Sequence, residues 1–137
     1  AAMHAKVMAS FAEFAARLPE DGGDRRLLGT SGTVTTLASV YLKLNSYDRR
    51  AVDGLYLPTA AMREISRELA GRTIDGRAEF PTIGHERADL VVAGCAILEA
   101  IFDIWPGERL GVADRGIREG ILRALMASDA KRRNRRN

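Results

Sequence analysis

The chain has 137 residues, 46% of them hydrophobic and 28% charged, which suits one domain with a real core and excludes a compositionally disordered chain. A single cysteine, Cys95, excludes an internal disulfide framework and a four-cysteine zinc site, and the longest uncharged apolar run, residues 90–98, is too short to span a bilayer. The net charge is +3, but five cations (Lys131, Arg132, Arg133, Arg135 and Arg136) sit in the last seven residues and leave the remainder at −2.

The basicity therefore belongs to a tail, and residues 128–137 are expected to form a disordered basic segment. No aromatic residue interleaves those charges, so the tail reads as a solvated terminus ahead of an arm for nucleic acid, polyphosphate or another polyanion. A start at Ala1 rather than methionine is expected of a piece of a longer protein, and no basic segment precedes an apolar stretch as in a signal peptide.

In chain order, Met3, Val7, Phe11, Phe14 and Leu18 recur at helical spacing, with Pro19 as a stop. Residues 20–24 form a polar turn. Leu27-Leu28-Gly29 reads as a short buried strand running into Thr30-Ser31-Gly32-Thr33, which can cap a helix. Val34, Leu37, Ala38, Tyr41 and Leu42 give that helix one apolar face, and residues 45–50 are polar and irregular. Pro58 and Thr59 open the next helix, with Met62, Ile65 and Leu69 inward and Gly71 at its end. Residues 73–84 read as loop.

A long helix is expected from Glu86 to Trp105, apolar nearly all round and buried on several sides. A second strand follows at Arg109–Ala113. Asp114-Arg115-Gly116 then turns into a last helix, with Asp114 as cap and Ile117, Ile121 and Leu125 inward. The fold class is α/β, helix-rich, with two short strands near residues 26–29 and 109–113. Each strand runs directly into a helix, so the two are expected to be parallel. Two parallel strands seldom make a stable sheet, so the chain reads as part of an α/β domain.

The stretch Gly29-Thr30-Ser31-Gly32-Thr33 carries most of the chemistry. Glycines let backbone approach an anion, and free amides, hydroxyls and the helix dipole favour negative charge there. It lacks the Gly-Lys-Ser/Thr of a nucleotide phosphate loop and the glycine spacing of a dinucleotide fold. A well-capped helix after a tight turn explains it equally. Arg115 and Arg118 either bind an anion or pair with Asp114 and Glu119. At the start of the long helix, Glu86 and Asp89 suit the positive dipole end, whereas Arg87 calls for a carboxylate or phosphate partner. His85 shows no nucleophile or orienting partner and reads as a surface histidine. His4 makes no metal-ligand spacing with it. Cys95 reads as an inert core residue. No nucleophile is identifiable.

Three segments resemble signatures of the exopolyphosphatase and guanosine pentaphosphate phosphatase family: Leu27 to Ala38, Glu86 to Leu98, and Asp114 to Leu122. They lie in the family's order and span most of the chain from Leu27 to Met126. The resemblance implies a partial ribonuclease-H-like lobe of the actin-like ATPase superfamily, with residues 1–127 a fragment of the second lobe. It implies a parent hydrolase, cytoplasmic and of the stringent response, that removes terminal phosphate from polyphosphate or guanosine pentaphosphate with magnesium or another divalent cation. The family's two aspartate–glycine phosphate loops and its catalytic glutamate have no counterpart here. The chain alone is thus expected to be inactive, to hold no catalytic residue and to bind no metal. Carried over, Gly29, Thr30, Ser31, Gly32, Thr33 and Arg87 contact phosphate, and the alternative is a non-catalytic sensor of the same polyanions. Neither membrane nor nucleic acid is an expected partner. A half-lobe would also expose apolar surface and self-associate through it.

Overall fold

The computed structural model describes residues 2–17 and 26–134. Leu18, Pro19 and the expected polar turn at 20–24 lie outside them. In chain order the elements are α1 (Ala2–Ala16), β1 (Leu27–Gly29), α2 (Gly32–Tyr41), α3 (Arg49–Val52), β2 (Tyr56–Pro58), α4 (Thr59–Gly71), α5 (Ile74–Ala78), α6 (Gly84–Arg87), α7 (Leu90–Ile104), β3 (Arg109–Val112) and α8 (Ile117–Asn134).

The strands form one sheet in the order β1-β3-β2. As expected, β1 and β3 are parallel, with Leu27 opposite Leu110 and Gly29 opposite Val112. The third strand, β2, pairs antiparallel to β3 with Leu57 opposite Leu110. Alternation along the strands turns Leu57, Leu110 and Val112 into the core beneath α2, α4 and α7. Leu37, Met62, Leu69 and Phe102 from those helices are fully buried against them. The opposite sheet face carries Leu28, 62% exposed, and Tyr56, on either side of Gly111. Half of the expectation of a buried first strand is thereby corrected: Leu27 turns inward and Leu28 outward.

Four further expectations are revised. The irregular stretch after Asn45 contains α3, capped by the Asp48 carboxylate, which accepts from the Arg50 amide at 2.8 Å. The loop at 73–84 contains α5, capped by Thr73, whose Oγ1 accepts from the Gly76 amide at 3.1 Å. The single helix from Glu86 is two helices. Arg77 Nη1 donates to Ala88 O at 3.0 Å and claims a carbonyl that an unbroken helix would turn toward the amide four residues on. Within α7, Val91, Cys95, Leu98 and Phe102 are buried along one face and Ala100 on the opposite one, and α1, α2 and α4 all pack against the helix, so it is buried on several sides as expected, with Leu90 and Ile97 left exposed.

The last revision concerns α8. Ile117 is 80% exposed, and Ile121, Leu122, Leu125 and Met126 are exposed as well. The residues expected to face inward form an open apolar stripe. The helix also continues to Asn134, so the expected disordered tail is helical over 128–134. Asp114 does not cap it. Glu119 Oε2 reaches back to accept from the Gly116 amide at 2.8 Å, while the Asp114 carboxylate takes Tyr47 and Arg49.

Candidate anion-binding site

β1 ends at Gly29, where the chain must turn hard into α2. An added Cβ at Gly29 would stand 2.6 Å and 2.8 Å from the two Val34 methyl carbons, so only glycine fits against the first turn of the helix. Ser31 is the N-cap, and its Oγ accepts from the Val34 amide at 3.4 Å. The amides of Gly32 and Thr33, the first in the helix, have no acceptor one turn back and carry the positive end of the helix dipole.

Arg87, at the end of α6, crosses this helix start. Its Nη1 donates to Thr36 Oγ1 at 3.4 Å and lies 4.0 Å from where a Gly32 Cβ would be. Among the described residues no carboxylate pairs with it. A cavity of about 240 Å³ opens here, lined by Gly32, Thr33, Thr36, Arg87, Leu90 and Val91. The partner that the sequence asks of Arg87 is thus a hydroxyl, which leaves its positive charge uncompensated beside an open space.

α7 comes close to the same helix start because of Gly94. A Cβ there would stand 2.7 Å from Thr33 Cγ2 and 2.9 Å from Thr33 Cβ, closer than real atoms approach. Glycine inside a helix costs about 1 kcal/mol relative to alanine. Its gain here is the close approach of α7 to the Thr33 side chain.

Of the six sequence-predicted site residues, the structure brings Gly32, Thr33 and Arg87 together. Gly29 shapes the turn, Ser31 is occupied as the cap, and Thr30 is exposed outside the cavity lining. Thr36 was missed. Its signal is its position four residues after Gly32, which puts both on one helix face. The lining supplies amides, hydroxyls and one guanidinium, a donor set for an oxyanion and a poor one for a cation. Among the described residues no three His, Cys, Asp or Glu side chains converge to hold a metal.

The remaining candidates lie elsewhere. His85 is exposed. His4 Nε2 hydrogen-bonds Asp103 Oδ2 at 2.8 Å. Cys95 is buried, and that burial pushes its thiol up, away from the thiolate. Arg115 pairs with Asp53 at 3.0 Å rather than with an anion, and Arg49 takes both Asp114 and Glu119. Among the described residues no helix is long and apolar enough to cross a membrane.

The sequence model of the Ppx/GppA phosphatase family matches residues 1–129. Exopolyphosphatase 2 of Mycobacterium tuberculosis is 30% identical over 77 residues, 56% of this chain and 24% of that protein. A guanosine-5'-triphosphate,3'-diphosphate pyrophosphatase of Pseudoalteromonas translucida is 28% identical over 98 residues, 72% of this chain and 18% of its own length. The crystal structure of the Aquifex aeolicus member of the same family superimposes with a TM-score of 0.80 at 23% identity, covering 93% of this chain and 40% of that one. The fold is shared, the actin-like ribonuclease-H-like fold of that structural group. This chain spans about a quarter or less of these curated relatives.

Proposed function

The chain belongs to the Ppx/GppA phosphatase family, and we propose that it forms the part of a phosphohydrolase that grips the phosphoryl groups of polyphosphate or guanosine pentaphosphate. One observation carries this reading: Arg87, paired among the described residues only with the Thr36 hydroxyl, stands over the helix-start amides of Gly32 and Thr33 at the mouth of a cavity. Amide, hydroxyl and guanidinium donors offset phosphoryl charge without moving a proton. Among the described residues the cavity lining contains no carboxylate or imidazole to activate water. That work, with the aspartate–glycine loops and any magnesium, falls to the rest of the parent enzyme in the cytoplasm. Residues 1–127 are then a fragment of its second lobe.

The same lining supports a second reading, a sensor that binds guanosine polyphosphate or polyphosphate without turning it over. Calorimetric titration of tripolyphosphate into the 137-residue chain, with phosphate release followed in parallel, tests both. Saturable binding without release is expected, and Arg87→Ala is expected to weaken it at least tenfold, about 1.4 kcal/mol. Unchanged binding in Arg87→Ala would overturn the site.

The exposed α8 stripe and the Leu28–Tyr56 sheet face also support self-association of the chain as a homo-oligomer. Sedimentation that stays monomeric at high protein concentration would refute it.

A further inference from the structure

α8 carries a charge that the cradle does not use. Residues 117–137 hold seven cations and two carboxylates, whereas residues 1–116 hold fourteen cations against sixteen carboxylates. These cations are not strung along a loose terminus. α8 runs as helix to Asn134 and sets most of them on a rod about 27 Å long. Arg118, Arg123, Lys131, Arg132 and Arg133 are all exposed. Among the described residues no carboxylate pairs with any of them. Glu119, at the root, is taken by Arg49 and by the Gly116 amide, which leaves Asp129 as the other carboxylate on the helix. The negative end of the helix dipole favours cations in the last turn, but it amounts to roughly half a charge and Lys131, Arg132 and Arg133 are three.

The root of this rod stands beside the cradle. β1 and β3 are parallel neighbours with Gly29 opposite Val112, so both end at the same sheet edge. The Ala113 amide, one residue beyond β3, donates to Gly29 O at 2.9 Å. α2, with the phosphoryl donors at its start, begins three residues after Gly29, and α8 begins five residues after Val112. The cavity at the start of α2, about 240 Å³, has room for the end of a phosphate chain and not for a long one. The remainder of a long chain must lie on the surface around that edge.

We propose that α8 is a second anion site, which holds the body of an inorganic polyphosphate chain whose end lies in the cradle. The proposal rests on the phosphoryl reading of the cradle for where the chain ends, and on α8 alone for what holds the rest. Arginine and lysine are the side chains that meet phosphate oxygens best, through charge-assisted hydrogen bonds. Nucleic acid is the less suited polyanion, because residues 117–137 contain no aromatic side chain on which a base would stack.

The test titrates long-chain inorganic polyphosphate and tripolyphosphate calorimetrically into the 137-residue chain at about 0.15 M salt. One variant combines Lys131→Gln, Arg132→Gln, Arg133→Gln, Arg135→Gln and Arg136→Gln, which keeps a good helix former at each position. It is expected to weaken the long chain at least tenfold and tripolyphosphate by less than twofold. It is also expected to flatten the fall of long-chain affinity with salt, since fewer counterions are released. Circular dichroism confirms that the variant is folded. Long-chain affinity that the variant leaves intact would overturn the proposal, and so would an equal loss for tripolyphosphate. A single-stranded oligonucleotide of matched charge that binds the unaltered chain as tightly as polyphosphate would overturn it too, in favour of a nucleic-acid arm. Arg87→Ala reads the cradle separately: tripolyphosphate binding that it leaves unchanged overturns the cradle, while the glutamine variant still reads α8.

Discussion

Gly94→Ala probes how the proposed anion cradle is held in shape. In a helix interior the substitution alone gains about 1 kcal/mol. Against that gain, the new Cβ would sit 2.7 Å from Thr33 Cγ2 and 2.9 Å from Thr33 Cβ, and closer still to Oγ1. Carbon atoms pack best at about 3.5–4.0 Å, so α7 and the first turn of α2 must part by roughly 1 Å. Overpacking of this kind costs about 1–3 kcal/mol. The net expectation is a loss of about 0–2 kcal/mol, or a melting temperature lower by up to about 6 °C in a chain of this size. Binding suffers more than stability, because Thr33 moves relative to Arg87. Tripolyphosphate affinity is expected to fall about tenfold. Thr33→Ala in the same background removes Oγ1 and Cγ2, and is expected to return part of the lost stability with a coupling of about 0.5–3 kcal/mol. Thermal melts and calorimetry on the two single variants and the double variant read all of this. A Gly94→Ala chain that melts higher than its parent and binds tripolyphosphate equally well would refute the reasoning.

Two further predictions concern the root of α8. The Asp114 amide and then the Arg115 guanidinium hold the Asp53 carboxyl below its ordinary value, and the Gly116 amide does the same for Glu119. Carboxyls lowered in the folded state contribute stability above the unfolded value, near 4, and lose it as pH falls through the folded one. The melting temperature is expected to drop as pH falls below about 4, and Asp53→Asn is expected to flatten that drop; an unchanged acid profile in the variant would show that Asp53 does not contribute to it. Local desolvation of the hydroxyl where it meets Asp114, then the hydrogen bond to that carboxylate, pushes the half-exposed Tyr47 up to about 12. Ultraviolet titration of the three tyrosines is expected to show one late step that Tyr47→Phe removes.

The sequence disclosed the parts of this fold whose cause is local. β1, α2 and β3 were legible because a short apolar run, a Ser cap and a glycine turn each act within a few residues. β2 was not, since Tyr56–Pro58 is three residues ending in proline and owes its existence to pairing with β3. The break between α6 and α7 was hidden for the same reason, because its cause is Arg77, eleven residues upstream of Ala88.

The site divides along the same line. Gly32 and Thr33 could be read as anion donors from the helix start alone. Arg87 was legible as a cation in want of a partner, but that α6 carries it across α2, and that Thr36 is the residue it meets there, emerged only from the fold. α8 marks the limit of periodicity. Spacing shows that Ile117, Ile121 and Leu125 share a face, and the exposure of that face shows that periodicity names a surface to be covered without naming its cover. Gly94 joins the two kinds of information. Its cost to the helix is visible in the sequence, and its reason, the Thr33 side chain of another helix, is visible only in three dimensions.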